Sequence, residues 1–555
     1  MSDHDQRIAT VLGYHRQTKH RPNRYASGPG FLDWESQPDP FRHYLGAKRR
    51  ALPLVADTLG VPYAHLGRPG RVAPAPLDGA GLAALLEISL GLAAWKSSQG
   101  VTWPLRCNPS SGNLHPTEGY VVIADLPAPP GGRPAALEAG VYHYSSRDHL
   151  LERRTLLPET AQVLLPGTFL VGLTSIHWRE AWKYGERAWR YCQLDVGHAM
   201  AAVRYGAAVL GWRARLLADP GDAAVGNLLG LTQDPGAAEA EHPDLLLLVD
   251  ASSGPPVHLS AERIRTLAET AARRAGWEGE PNRLSREHKV DWPIIDRIAA
   301  ATLKPATREN LWWPGERPAL EPSPTTAGAV TLIRGRRSGQ AYDGQTALAG
   351  PAFFRTLDRL LPRREVPPWD LLPWSPRVHP VFMVHRVTGL APGLYLLVRD
   401  AAAEPRLRAA LDGGCQWERP AGCPADLDFY RLRAGDLRET AAGLSCQQEI
   451  AADGAYSVGM LGAFEPDLSG APWSYRRLFW EAGLLGQVLY LEAEAEGIRG
   501  TGIGCFFDDG FHELLGLQGE GFQSLYHFTA GGALEDARLE TLPPYAFLPE
   551  EEGGQ

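Results

Sequence analysis

The sequence offers little cysteine chemistry for its length. Its six cysteines, in 555 residues, form no CxxC pair and no cluster with histidine at metal-ligand spacing. We therefore expect no metal site and no disulfide framework, and free thiols are typical of a cytoplasmic protein. A long apolar run is also missing: no stretch of about 18 apolar residues occurs, which argues against a membrane-spanning helix.

An excess of positive charge is absent as well. The formal net charge is −9 at pH 7, which argues against nucleic acid as an obligatory partner. The first 25 residues are polar and lack the apolar core of a signal peptide. With 44% hydrophobic and 21% charged residues, the composition is that of a globular protein. We predict a cytoplasmic protein without a nucleic-acid or membrane partner.

The most informative stretch is RCNPSSGNLHPTEGY, residues 106–120. It places Pro, Ser, Ser, Gly and Asn in succession, and a β-branched run follows, so it predicts a polar loop that leads into a strand. Ser110, Ser111 and Asn113 offer hydroxyl and amide groups, and Gly112 allows close approach to a ligand. Taken by itself, the stretch is also typical of a capped turn.

An internal repeat organises the chain. Asp195, Gly197 and Gly211 recur as Glu481, Gly483 and Gly497, all at an offset of 286 residues, and 195–231 aligns with 481–517 without a gap. The apolar helix predicted at 189–211 is thus present twice, and we expect the two copies to pack like a homodimer fused into one chain. The predicted division is an irregular arm (1–75), a first domain (76–255), a connector (256–325), a second domain (326–545) and an acidic tail (546–555). Within the first domain, the apolar stretch 78–98 predicts one helix.

The two copies keep different functional motifs. The first has PSSGN at 109–113, where the second has PWSPR at 373–377. Only the second has Arg336-Arg337-Ser338 and the stretch GTGIG (500–504), and only the second ends near a cation, Arg538. Adjacent arginines can bind a phosphate, and glycines can present backbone N–H groups to a ligand. Each motif alone has a simpler interpretation, a solvated surface or a helix cap. Their complementary distribution favours one site shared by both copies.

In combination these motifs resemble the flavin-dependent nitroreductase superfamily, in particular its tandem members with SagB-type (azoline dehydrogenase-like) domains. RRSGQAYDG (336–344), with Gln340 where arginine is commoner, is similar to the first family motif; NPSSGNLHPTE (108–118), GTGIG and Arg538 are similar to the later ones. The resemblance implies an α+β fold of two nitroreductase-like domains and FMN at their interface. It implies FMN contacts from Ser110, Ser111, Asn113, Arg336, Arg337, Ser338, Gln340, Gly500, Thr501, Gly502, Ile503, Gly504 and Arg538, with backbone N–H groups near Gly502 and Ile503 facing the flavin.

A second resemblance concerns catalysis. The segment WREAWKYGERAWRYCQLDVGH (178–198) is similar to the SagB-type segment that carries a Lys-Tyr pair, here Lys183 and Tyr184. In azoline dehydrogenases such a pair assists proton removal while hydride passes to the flavin. The aligned residues of the second copy are Ser469 and Gly470, so only the first copy keeps the pair. The alternative is that both side chains only line the start of the helix.

These features lead to three functional hypotheses. The first is an FMN-dependent oxidoreductase of the SagB type that acts on azoline or other peptide-derived substrates. The second is an NAD(P)H-dependent reductase of nitro, quinone or enone compounds. No separate dinucleotide fingerprint is present, but nicotinamide can stack directly on the flavin in this fold. The third is a flavin-binding scaffold without turnover. Because the dimer is internal, further oligomerisation is not required.

Overall fold

The computed structural model describes residues 2–129, 135–231, 239–274, 276–464 and 467–548. The predicted acidic tail beyond residue 548 lies outside these ranges. The α-helices are α1 (Asp3–Gln17), α2 (Gly79–Ser89), α3 (Thr160–Val163), α4 (His177–Tyr184), α5 (Ala188–Val209), α6 (Asp222–Leu229), α7 (Ala261–Ala272), α8 (Pro293–Ala301), α9 (Ala329–Gly335), α10 (Gly350–Arg359), α11 (Glu404–Ala410), α12 (Arg438–Leu444), α13 (Ile450–Asp453), α14 (Asp467–Gly470), α15 (Ser474–Ala495) and α16 (Asp508–Leu515).

The strands are β1 (Tyr44–Leu45), β2 (Arg49–Ala51), β3 (Leu92–Ser98), β4 (Val101–Arg106), β5 (Thr117–Ile123), β6 (Gly140–Ser145), β7 (Leu150–Leu156), β8 (Thr168–Ile176), β9 (Arg213–Leu216), β10 (Glu241–Asp250), β11 (Glu280–Pro281), β12 (Leu348–Ala349), β13 (Val378–Val384), β14 (Val387–Thr388), β15 (Gly393–Leu397), β16 (Phe429–Ala434), β17 (Tyr456–Ala463), β18 (Arg499–Ile503), β19 (Phe522–Gly531) and β20 (Glu540–Leu542).

Two antiparallel sheets have the same strand order. The first runs β2-β7-β6-β5-β8-β10-β9 and the second β16-β15-β13-β17-β19-β18, so all strands of the second sheet have a counterpart in the first. Their central strands β5, β8, β13 and β17 are buried along their full length, as expected when helices cover both faces. The predicted α+β fold with two like domains in tandem is confirmed.

The long helices α5 and α15 have 22 residues each, lie 286 residues apart and pack against each other. Gly197 and Gly483 meet where they cross: a Cβ on Gly197 would collide with the carbonyl of Trp480, and one on Gly483 with that of Leu194. The ion pairs beside this crossing are reciprocal, Arg190–Asp508 and Arg476–Asp222, each at 2.9 Å. The interface therefore has the isologous pattern of a two-fold dimer within one chain.

The two ends of the chain tie the repeats together. Helix α1 contacts both of them: His15 Nδ1 lies 2.9 Å from the hydroxyl of Tyr475, and the hydroxyl of Tyr14 donates to the carbonyl of Glu186 at 2.8 Å. Strand β20 pairs with β3 of the first repeat. The expectation of an irregular arm is wrong for residues 3–17, which are helical. The single helix expected at 78–98 is also wrong, because α2 ends at Ser89 and β3 begins at Leu92. In the part of the chain that the structure describes, no helix is long and apolar enough to cross a bilayer.

Candidate active site

Two adjoining cavities lie between the repeats. We call the first, of about 280 Å³, the basic chamber, because five cationic side chains line it. We call the second, of about 480 Å³, the tyrosine chamber, after Tyr25, Tyr184, Tyr191, Tyr490 and Tyr526 in its wall. Pro109, Ser110 and Ser338 line both. The structure thus brings the loop of the first repeat together with the arginine and glycine motifs of the second.

The PSSGN loop is shaped by left-handed backbone and one carboxylate. Gly112 has φ of 57° and Asn113 of 60°, a region that glycine and asparagine tolerate best. Ser111 donates its backbone N–H and its hydroxyl to Asp195, both at 3.0 Å. A Cβ on Gly112 would collide with the hydroxyl of Tyr184. The glycine therefore lets the loop lie directly on the predicted catalytic tyrosine.

Asp195 lines the tyrosine chamber but was not among the predicted site residues. Burial raises its pKa to about 7, although Ser110 and Ser111 partly oppose the shift by hydrogen bonding. Its repeat counterpart, Glu481, likewise accepts the backbone N–H of Arg377 in the PWSPR loop, at 2.9 Å. Each carboxylate accepts a backbone N–H from the loop of its own repeat. The alignment of Asp195 with Glu481 in the repeat could therefore have indicated this shared role.

The basic chamber carries uncompensated positive charge. Burial, together with neighbouring Arg336, lowers the pKa of Arg337 to about 10. The pKa of Lys96 is lowered by burial and then by Arg337, and burial also lowers that of Arg106. Arg337 donates to backbone carbonyls, with Arg334 O and Arg336 O each at 2.7 Å. An anion in this chamber would relieve the mutual repulsion of these groups.

The same chamber contains buried polar atoms without partners. Among the described residues, Nε of Arg106, Nε of Arg336 and Oδ1 of Asn108 are buried and make no hydrogen bond. The guanidinium of Arg336 stacks on the ring of Tyr490, with 4.9 Å to the centroid. Acidic side chains line the chamber at Glu535 and Asp536, and Arg499 pairs with Glu535 at 3.0 Å. The donor set suits a phosphate better than an apolar ligand.

The GTGIG stretch forms β18 and the turn after it. A Cβ on Gly502 would collide with the hydroxyl of Tyr526, and one on Gly504 would lie 2.6 Å from the ring of Tyr191. The N–H of Gly502 donates to the hydroxyl of Tyr490 at 2.9 Å. The structure thus gives this N–H a protein partner, contrary to the expectation that it faces a flavin. The absence of side chains here is what makes room for the tyrosines.

Most of the other predicted residues also line the chambers. Thr501, Ile503, Lys183 and Tyr184 line the tyrosine chamber, and Asn113 and Gln340 line the basic chamber, with Gln340 exposed at its edge. Gly500 is not among the lining residues; a Cβ there would collide with Phe528 behind the wall.

Arg538 is not brought to the site. Its side chain is 82% exposed and bonds to Asp536 in its own turn, at 2.7 Å. Lys96 and Arg499 instead supply cations beside the two predicted arginines. Arg499 directly precedes GTGIG, so the sequence motif could have identified it as a site residue. No sequence feature identifies Lys96, because its position depends on the pairing of β3 with β20.

Lys183 and Tyr184 end helix α4, and the Lys183 ammonium lies 5.3 Å from the centroid of the Tyr184 ring. Burial raises the pKa of Tyr184 well above its usual value, and the carboxylate of Glu180 adds to the shift. Tyr184 is therefore a neutral phenol at physiological pH. It can donate a hydrogen bond to a ligand in the tyrosine chamber but does not act there as an anion.

The pseudo-symmetric position in the first repeat is built differently. Residues 214–218, ARLLA, replace GTGIG, and the guanidinium of Arg215 stacks on Trp313 from the connector, at 4.9 Å. Arg213, the counterpart of Arg499, is bound to Asp250 at 2.6 Å. A cavity of about 420 Å³ is present here too, but Asp250, Glu365 and Asp370 line it together with the arginines, so its positive charge is balanced.

Comparisons with known proteins bear on the fold. No protein-family model matches the chain. A 116-residue stretch is 33% identical to the trifolitoxin-processing protein TfxB of Rhizobium leguminosarum bv. trifolii; this match covers 19% of the chain and only 29% of that relative. A crystal structure from Anabaena variabilis, described as a nitroreductase, covers 95% of this chain and 99% of its own, at 24% identity and a TM-score of 0.62. The chain thus has a nitroreductase-like fold across both repeats.

A further structure, an FMN complex from Exiguobacterium sibiricum also described as a nitroreductase, covers 38% of this chain and 91% of its own. Its sequence identity to this chain is 12% and its TM-score is 0.23. These values are too low to support the fold assignment.

Proposed function

We propose that the protein is an FMN-dependent oxidoreductase of the SagB type that removes two hydrogens from azoline or related peptide-derived rings. The observation that supports this best is the asymmetry of the site. One basic chamber with unpaired donors adjoins one tyrosine chamber, whereas the corresponding cavity of the first repeat is lined by Asp250, Glu365 and Asp370 as well as by arginines. A single binding site for one phosphorylated, ring-bearing cofactor accounts for both facts.

The residues present fit FMN in this arrangement. Arg336, Arg337 and Lys96 would hold the phosphate, Ser110 lies where the two chambers join, and Ser111 lines the tyrosine chamber. Arg106, Arg336 and Asn108 also line this chamber, and each has a buried polar atom without a protein partner. When bound, FMN supplies a hydride acceptor at its N5 position.

The chain's own residues would position the substrate and move its proton. Tyr184, held as a neutral phenol, donates a hydrogen bond to the substrate ring. We assign proton removal to Lys183, with the neutral Tyr184 phenol as the hydrogen-bond donor beside it and Asp195 nearby as a carboxylate whose pKa of about 7 suits proton exchange at neutral pH. The tyrosine rings of the chamber limit water around these groups.

The substrate class is supported by the partial match to a protein whose name records the processing of trifolitoxin, and by the Lys-Tyr pair in the first repeat. A reductase that takes hydride from NAD(P)H is the alternative, because a chamber of about 480 Å³ also admits a nicotinamide ring.

Two measurements test the proposal. Titration of the purified protein with FMN should quench flavin fluorescence at one FMN per chain; a protein that takes up no FMN contradicts it. Under anaerobic conditions, an azoline-containing peptide should then bleach the bound flavin and lose two hydrogens, as seen by mass spectrometry. Bleaching by NADPH, with no reaction of the azoline peptide, would instead assign the reductase function.

A further inference from the structure

Two cysteines meet in the wall of the tyrosine chamber. Cys505 follows Gly504 and lines the chamber, and Cys446 lies in the turn after α12. Their thiols are close enough that each shifts the pKa of the other. The surrounding backbone fixes this contact, because the N–H of Phe507 donates to the carbonyl of Leu444 at 2.8 Å and the side-chain amide of Gln448 donates to the carbonyl of Cys505 at 3.2 Å.

The surroundings make the two thiols unequal. His20 contacts Cys505, Tyr25 contacts Cys446, and the guanidinium of Arg187 acts on both. Cys446 lowers the pKa of Cys505, with further lowering by His20 and Arg187, and Cys505 raises the pKa of Cys446. Because Cys505 lines the chamber and Cys446 does not, Cys505 is placed as the nucleophile and Cys446 as the resolving thiol behind it.

We propose that Cys446 and Cys505 are a redox-active dithiol that reduces a low-molecular-weight disulfide entering the tyrosine chamber. The Cys505 thiolate attacks one sulfur of the small disulfide, whose S–S bond breaks and releases one thiolate. Cys446 then loses its proton to that thiolate and attacks Cys505 Sγ, and the second small thiolate leaves. Two cysteine thiols and one small disulfide thus yield one protein disulfide and two small thiols, with two electrons transferred.

The other four cysteines do not share this setting. Cys107 and Cys192 are buried, and burial raises the pKa of Cys415 and that of Cys423, the latter to about 11. The proposal does not depend on flavin chemistry, although the dithiol and the proposed flavin site share one chamber. Cys423 provides a matched control because it is also half-buried.

The test uses the full-length reduced protein and oxidised glutathione. The wild-type protein should lose two hydrogens by intact mass, and peptide mapping should join Cys446 to Cys505. Cys446→Ser should trap one glutathione on Cys505. Cys505→Ser should react at least about tenfold more slowly at pH 7, because most of a thiol with an ordinary pKa is protonated there. Cys423→Ser should react like the wild type.

Three outcomes would overturn the proposal: a wild-type protein that keeps all its thiols, a disulfide that joins other cysteines, or a Cys505→Ser protein that reacts as fast as the wild type. The first two need no variant, so a folding defect cannot hide the answer. FMN titration of the same sample is read separately, so loss of flavin binding and loss of dithiol chemistry are distinguishable.

Discussion

At the scale of single residues, the site is defined by pairs of a glycine and a tyrosine that are not neighbours in the sequence. Gly112 lies against Tyr184, and Gly502 lies against Tyr526. In each pair the absence of a side chain on one partner creates the space for the phenol of the other. The glycine of the PSSGN loop is therefore required for steric reasons, whereas the hydroxyl and amide groups of the loop serve in hydrogen bonding.

Removal of the Lys183 ammonium or the Tyr184 hydroxyl should affect turnover rather than cofactor binding. We expect Lys183→Ala and Tyr184→Phe each to lower kcat for azoline oxidation by about 10²-fold or more, as for loss of a group that assists proton transfer, with an unchanged Kd for FMN. Stopped-flow measurement of flavin bleaching checks this. Lys289→Ala, which removes an exposed lysine paired with Asp33, is the control. Equal effects in all three variants would contradict the assigned roles.

Loss of one guanidinium from the basic chamber should weaken FMN binding. Arg337→Ala is expected to raise the Kd for FMN about tenfold or more, because a charge-assisted hydrogen bond contributes about 1.5–3 kcal/mol. Arg50→Ala, on the edge strand β2, should leave the Kd unchanged. Fluorescence titration measures both. A similar loss in the two variants would argue against a single phosphate site.

His143 should make stability pH-dependent. It lies between Glu118 and Glu152, each at 3.1 Å, and these carboxylates outweigh burial and raise its pKa to about 9. Because the pKa of His143 in the folded state exceeds its ordinary value, the protonated imidazole stabilises the folded protein. This stabilisation is complete below about pH 6.5 and is lost as the pH rises through about 9. The shift corresponds to about 3 kcal/mol.

The thermal unfolding midpoint of the wild type should therefore decrease as the pH is raised from 6.5 to 9.5. His143→Gln should remove most of this decrease. His258→Gln, at an exposed position, should retain it. A His143→Gln protein with the wild-type slope would show that other groups titrate instead.

At the scale of elements, the hydrophobic pattern identified the long helices well and the stretch 78–98 poorly. α5 and α15 have apolar residues over their whole length because each packs against the other as well as its own sheet. The stretch 78–98 is equally apolar, yet it divides into α2 and β3. Its strand part pairs with β4 and β20, and β20 comes from the far end of the chain, so no local pattern predicts it.

The crossing of α5 and α15 should tolerate no added methyl group. Gly197→Ala is expected to destabilise the protein by about 1–3 kcal/mol, because the new Cβ meets the backbone of the partner helix and not a movable side chain. Gly443→Ala on α12 has open space and should stabilise by about 0.5–1 kcal/mol through helix propensity. Thermal midpoints measure both. Gly197→Ala with an unchanged midpoint would contradict the close contact.

At the scale of the whole molecule, the two repeats are held together by more than the central helices. Helix α1 from the start of the chain contacts both repeats, and β20 from its end, which follows the second repeat, pairs with the first. Each repeat therefore depends on the other for a complete core and for half of the proposed site.

The two halves should consequently fold only together. A chain divided between Gly315 and Glu316, both exposed, is expected to copurify as a complex that binds FMN with near-wild-type affinity, whereas either half alone should aggregate. Size-exclusion chromatography of co-expressed and separately expressed halves decides this. Two monomeric, folded halves would show that the domains are independent.

The sequence by itself determined the α+β class, the tandem arrangement and the grouping of motifs, because a constant offset of 286 residues and local hydrophobic periodicity are properties of the linear chain. Only the tertiary structure decided which groups share a chamber. It brought in Lys96, Asp195 and the thiol pair of Cys446 and Cys505, and it left Arg538 outside. These positions depend on packing between segments that are far apart in the sequence, and the side chains involved carry no local signal of that contact.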